Sequence, residues 1–240
     1  MIAVLGRGKS LKKYKKFSDL FDTVYLCNSF KKEIEYLGKK HFKNKIVIQV
    51  VGRASVQLKD SQYKKLRIKK VYTNCYDIKK FKTGSGKNLV EKFPSYVNLK
   101  EVPFYMRKRA YPWMDWKIIA KHIDNFNKQD DIISFLKKKY SDKDKDEHTF
   151  PGTWPTCGNY ALDLALNQNK NIDSIYLFGL DFYKKGYLTP WKRDRNTISS
   201  KYKEKVMISH IKYLIKEFFN VNFYFSSREI NIDFPNLFYI

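Results

Sequence analysis

The sequence predicts the α/β class: a mostly parallel β-sheet flanked by helices, as one domain over 1–240 with a small lid at 184–200. Three observations carry that expectation. Short Val/Ile/Leu-rich runs recur at strand length, helical stretches lie between them, and the runs end at glycine or asparagine. A chain of 240 residues suits one such domain and can bury a hydrophobic core.

The first element, Ile2 to Leu5, is an apolar run that stops at Gly6, and Lys9 to Tyr14 behind it has helical character. The result is a strand, a tight turn and a helix start. Thr23 to Cys27 predicts a second strand ending at Asn28, and Lys45 to Val51 a third, of the continuous Ile/Val type that is covered on both faces. Val71 to Thr73 predicts a fourth. Tyr76 to Asp146 is less legible: Gly84 to Lys87 reads as a loop, while Trp116 to Phe126 and Asp131 to Tyr140 read as helices. After Pro155, small residues open an apolar helix over Asn159 to Asn167, followed by a strand over Ser174 to Leu180. A long helix then runs to Phe219, with Met207, Ile211, Leu214, Ile215 and Phe218 forming a buried stripe, and a strand covers Val221 to Phe225. Strands alternating with helices give a Rossmann-like sheet that keeps its ligand at the carboxyl ends of its strands.

Composition narrows the function classes. The 48 basic and 24 acidic side chains leave a net charge of +24, which draws attention to nucleic acid and anionic membrane. Forty of the 48 are lysines, spread along the chain, and base-edge reading favours the arginine fork, so no specific nucleic acid is expected. The three cysteines (Cys27, Cys75, Cys157) are far apart and show neither disulfide nor zinc spacing. With no signal-peptide pattern and no run approaching the ~18 apolar residues of a membrane span, the expected location is cytoplasmic, with room for peripheral contact on the inner face of an anionic membrane.

Several motifs could carry chemistry. Gly6, Arg7, Gly8, Lys9 and Ser10 follow the first strand, where glycines admit a phosphate or ribose to the backbone and a helix start offers amides to an anion. A Walker A loop is disfavoured, because its first glycine would fall on Ala3. Asn28 could read a base or sugar edge or simply make a turn. Thr156, Cys157 and Gly158 form a small-residue helix start suited to phosphate or base, or an ordinary N-cap. Asp181, Tyr183 and Tyr187 follow a buried strand at the ligand end of the sheet, and neutral tyrosine hydroxyls can hold a leaving phosphate. The carboxylates of Asp142 to Glu147 are interleaved with lysines and lack a calcium-loop glycine, so no metal site is expected.

Together these pieces resemble glycosyltransferase family 42, the bacterial lipooligosaccharide sialyltransferases. That family has Gly-x-Gly-x-Ser-Leu after its first strand, as in Gly6 to Leu11, and Cys-Asn then Leu-Gly-Lys-Lys, as in Cys27-Asn28 and Leu37 to Lys40. Its Thr-Ser-Gly helix start corresponds to Thr156-Cys157-Gly158, and its Ile-Tyr-Leu-x-Gly-Ile-Asp-Phe-Tyr strand to Ile175 to Tyr183. Order and separation agree over the first 50 residues and the last 90, while the middle matches poorly. The resemblance implies a variant of the GT-A glycosyltransferase fold. It also implies a sialyltransferase-like reaction, inverting and metal-independent, from a CMP-activated nonulosonic acid to a glycan or lipooligosaccharide acceptor. No cofactor beyond the CMP-sugar donor is expected, and a homo-oligomer is compatible with it.

By resemblance, Gly6, Arg7, Gly8, Ser10, Asn28, Thr156, Cys157, Gly158 and Asp181 bind the nucleotide, and Tyr183 and Tyr187 stabilise the departing phosphate. Two positions depart from the family pattern. Its catalytic histidine falls on Lys203, leaving His210, seven residues on and on the same helix face, as base or as a histidine bordering the core. An arginine of the family falls on Trp154, with Arg193 or Arg195 as substitutes. Two other functions fit the sequence: a catalytically inactive nucleotide-binding relative, and a basic nucleic-acid binder using the aromatic cluster Met106 to Trp113. Substitutions at Gly8 and Asn28, both at strand ends, are expected to leave the fold intact.

Overall fold

The structure, a computed structural model, describes residues 1–28, 30–52, 58–73, 78, 88–103, 106, 156–169, 171–182, 187–188, 201–229 and 232–240, the side chains of 201–206 excepted. The segments 116–126 and 131–140 read as helices, the carboxylates of 142–147 and most of the expected lid lie outside the described residues.

Among the described residues eight parallel strands form one sheet: β1 (Ile2–Leu5), β2 (Thr23–Cys27), β3 (Ile46–Val51), β4 (Lys70–Thr73), β5 (Asn98–Glu101), β6 (Ser174–Phe178), β7 (Asn222–Phe225) and β8 (Leu237–Tyr239). Their order is β5-β4-β3-β2-β1-β6-β7-β8. The chain builds outward from β1 through β5, then returns to place β6 on the other side of β1. The expected α/β, Rossmann-like architecture is therefore present, and every pairing in the sheet is parallel. Strand order reverses between β1 and β6, and sheets of this kind hold ligands at the carboxyl ends of the strands beside such a switch point.

Side-chain alternation explains the two-layered core. Ile2 and Val4 of β1 pack with Tyr25, Ile48 and Val50 against α4 (Cys157–Gln168) and α5 (Lys201–Glu217). Ala3 and Leu5 face the other way with Val24, Leu26, Val47 and Val51, under α1 (Tyr14–Phe17), α2 (Lys31–Leu37) and α3 (Asp60–Leu66). There Tyr14 is fully buried, with the rings of Phe21, Phe42 and Phe178 within 6 Å of its centre. Aromatic contacts of this kind add about 0.5–1.5 kcal/mol each beyond the area they bury.

Helix α4 is buried at ten consecutive positions from Cys157 to Leu166, so it has no solvent face and needs none of the amphipathic pattern of a surface helix. Its two buried polar residues with longer side chains, Asn159 and Asp163, face α5 instead. Asn159 Nδ2 donates to the Met207 carbonyl at 3.0 Å, and Asp163 Oδ2 lies 3.4 Å from His210 Nε2. In α5 the expected stripe is buried at Met207, Ile211, Leu214 and Ile215, with Phe218 partly buried beside it.

Candidate functional site

At the carboxyl ends of β1 and β6 the chain on both sides turns through close backbone contact. The Gly6 amide donates to the Phe178 carbonyl at 2.7 Å and the Gly8 amide to the Gly179 carbonyl at 2.8 Å. A Cβ on Gly6 would run into the Gly179 carbonyl oxygen, and one on Gly8 would sit 2.5 Å from Asp181 Cγ. Gly179 itself takes φ +69°, a conformation natural to glycine. Two glycine turns thus lock together, and the loop glycines serve that contact first.

Ser10 is the hub that fixes them. Its amide donates to Asp181 Oδ2 at 2.8 Å and its hydroxyl to Asp181 Oδ1. The Ser10 hydroxyl oxygen also accepts from the Gly179 amide at 3.0 Å and from the Ser226 hydroxyl at 2.9 Å. Three strand ends, those of β1, β6 and β7, are held through one side chain. Asp181 is 3% exposed, and its carboxylate is directed to the start of the glycine-loop helix, where an anion is favourable.

On the other side of β1, Asn28 ends β2 with φ +62°. Asparagine tolerates that left-handed conformation better than most residues. Its carbonyl accepts from Gln49 Nε2 at 2.7 Å, and Gln49 in turn accepts from the Tyr63 hydroxyl at 2.8 Å. The amino end of α4 reaches the same place. Thr156 is its N-cap in extended conformation, but its hydroxyl donates to Asn159 Oδ1 at 2.9 Å and caps no backbone amide. The positive end of the helix is thereby aimed at the crevice without a side-chain cap from Thr156.

The resulting cleft opens to solvent around a cavity of about 40 Å³. Its wall includes Gly6, Arg7, Gly8, Asn28, Thr156, Gly158, Asp181 and Tyr187, eight of the residues that the sequence singled out. Ser10 and Cys157 stand behind the wall, Ser10 as the hub described and Cys157 buried. Tyr183 lies outside the described residues. Cys27 contributes an apolar patch: burial, reinforced by the neighbouring Cys157, pushes its thiol well above the ordinary range and keeps it protonated.

Tyr187 is brought in by the main chain. Gly8 and Tyr187 form an antiparallel bridge, and the Leu188 amide donates to the Arg7 carbonyl at 2.8 Å. Arg7 Cζ sits 4.4 Å from the centre of the Tyr187 ring, and Arg7 Nε donates to Glu33 Oε1 at 2.8 Å. Glu33 is a site residue that the sequence reading missed, although a signal was there. It falls on the inner face of α2 with Phe30, Ile34 and Leu37, a position where a carboxylate calls for a partner.

His210 is not brought to the cleft. Its side chain is fully buried between α5 and α4 beside Asp163, and Met207, almost one turn earlier, is the α5 residue on the wall. This placement matches the histidine bordering the core. We expect His210→Gln to cost about 1–3 kcal/mol of stability, as for a buried polar group whose partner is changed. Turnover per folded molecule should stay within about threefold. Thermal melts with rate measurements check this: an unchanged melt with the roughly 10²- to 10⁴-fold loss typical of a removed general base would restore the catalytic role.

Gly8→Val was expected from sequence to spare the fold, and the contact with Asp181 revises that. Overpacking there should cost about 1–3 kcal/mol, visible as a lowered melting midpoint. Asn28→Ala likewise carries backbone strain at positive φ, so Asn28→Gly is the cleaner variant for removing the side chain.

Among the described residues, no group of three or more His, Cys, Asp or Glu side chains is placed to hold a metal ion, and no helix is long and apolar enough to cross a membrane. No family model and no curated protein matches the chain. It is distantly similar to a crystal structure of a variant of the sialyltransferase Cst-II in complex with CMP, with 20% identity and a TM-score of 0.48, over 94% of this chain and 80% of that one.

Proposed function

We propose that the chain is a sialyltransferase-like glycosyltransferase that takes a CMP-activated nonulosonic acid as donor and a glycan hydroxyl as acceptor, with inversion and without a metal ion. One observation carries this reading. Four segments distant in sequence, Gly6 to Gly8, Asn28, Thr156 to Gly158 and Tyr187, meet in one cleft at the switch point of a parallel sheet. Gly6 to Gly8, Asn28 and Thr156 to Gly158 belong to the motifs on which the resemblance to family 42 rests, and Tyr187 follows four residues after the Ile175 to Tyr183 strand motif.

Each part has a physical task in that reaction. The start of α4, which Thr156 does not cap with its side chain, provides positive potential for a phosphate, the Arg7 guanidinium, paired with Glu33, offers aimed N–H donors, and the Asn28 amide can pair with the edge of a cytosine or ribose. The Tyr187 hydroxyl, with that of Tyr183 at the end of the strand motif, donates to the phosphate as it takes up negative charge. Asp181 acts one step removed, by holding Ser10 and with it the shape of the glycine loop. Of the described residues on the wall it carries the one carboxylate, and that carboxylate is engaged by Ser10, so the base for the acceptor is sought elsewhere than at Asp181 or His210.

The experiment is donor turnover by the full chain in EDTA. Release of CMP from CMP-N-acetylneuraminic acid, faster with a glycan acceptor, is the expected result. Binding of CMP without release would favour the inactive nucleotide-binding relative.

A further inference from the structure

Glu33 lies in the first turn of α2, where the positive helix end favours a carboxylate, and its side chain is fully buried. Burying such a charge costs several kcal/mol unless it is well paired. It faces Arg7, whose side chain is 9% exposed and whose Nε is held at 2.8 Å from Glu33 Oε1. That bond fixes the plane of the guanidinium. The plane matters because Arg7 Cζ is 4.4 Å from the centre of the Tyr187 ring, on the wall of the cleft.

We propose that Glu33 is a positioning residue: acting through Arg7, it sets the Tyr187 ring at the wall of the cleft and thereby the affinity of the site for a nucleotide phosphate. Three residues from three segments form one chain of contacts, from α2 through the glycine loop to the strap that follows β6. Because the Arg7 and Glu33 charges offset each other, recognition of an anion here depends on how the donors are aimed rather than on a bare positive charge. Lysine in place of Arg7 would keep the charge and lose the planar fork that links Glu33 to the ring.

The binding arm of the test rests on the donor-site reading, and a second arm does not. A fluorotyrosine placed at position 187 alone gives one fluorine resonance among the chain's 18 tyrosines. Glu33→Gln and Glu33→Asp should both shift that resonance, whereas Glu35→Gln, an exposed change on the same helix, should leave it in place. In an Arg7→Lys background, Glu33→Gln should add no further shift. CMP affinity should fall about tenfold in both Glu33 variants, the worth of one charge-assisted contact. An unmoved resonance in both Glu33 variants, with a lowered melting midpoint, would reduce Glu33 to packing in α2 and overturn the proposal. So would an undiminished Glu33→Gln shift in the Arg7→Lys background. Failure of the wild type to bind CMP would remove the donor reading, while the fluorine arm would still decide the role of Glu33.

Discussion

Arg7→Met is expected to lower stability by about 3–5 kcal/mol, because it withdraws the cation that the fully buried Glu33 carboxylate faces. Methionine roughly preserves the length and apolar packing of the arginine stem, so the loss reports charge rather than volume. The double variant Arg7→Met/Glu33→Gln should recover most of it, since a neutral amide is far cheaper to bury than a carboxylate. Denaturant melts of the two single variants and the double variant check this. Equal stability of Arg7→Met and wild type would mean that the pair is worth no more than an exposed one, about 0–1 kcal/mol.

Tyr187→Phe is expected to lower donor turnover by about 10²- to 10³-fold, the usual cost of deleting one preorganised donor to a developing anion. The ring remains, and with it the contact to Arg7, so the melting midpoint should move little. Binding of free CMP should fall less than turnover, because the hydroxyl matters most as charge develops on the phosphate. Tyr183→Phe is expected from its place in the motif to act in the same direction. Wild-type turnover in the double tyrosine variant would end the assignment, and inactivity with a collapsed melt would make both rings packing elements.

The sheet core was legible in the sequence because burial on both faces writes itself as continuous apolar runs. β1 and β2 fall on the expected residues, and β3, β4 and β6 differ only at their ends. Strand β6 stops at Phe178 rather than Leu180 because Gly179 leaves extended backbone at φ +69°. Strands β5 and β8, at the two edges of the sheet, were missed: Asn98-Leu-Lys-Glu101 is mostly polar, and Leu237–Tyr239 has only three residues. Helix α3 was missed as well, since Asp60–Leu66 buries just Tyr63 and Leu66 and shows too short a stripe.

The site divides along the same physical line. Residues whose backbone makes the cleft, such as Gly6, Gly8, Asn28 and Gly158, announce themselves as turn and helix-start types. What pairing does to a side chain is not written locally. Ser10 and Asp181 are 171 positions apart, and their mutual contact makes them supports of the loop. His210 shares the periodicity of a stripe that faces the core along most of its length and reaches the cleft wall at Met207, so spacing alone does not distinguish a residue facing the cleft from one facing Asp163.

The most direct measurement of the central claim, a cytidine-nucleotide site at the β1 and β6 switch point, is a calorimetric titration of the full chain with CMP, CDP, UDP and GDP in EDTA. The account predicts one CMP per chain, weaker or no binding of UDP and GDP, and a loss of CMP affinity in the Asn28→Gly variant at an unchanged melting midpoint. Equal affinity for all four nucleotides, or CMP binding that Asn28→Gly leaves untouched, would contradict it.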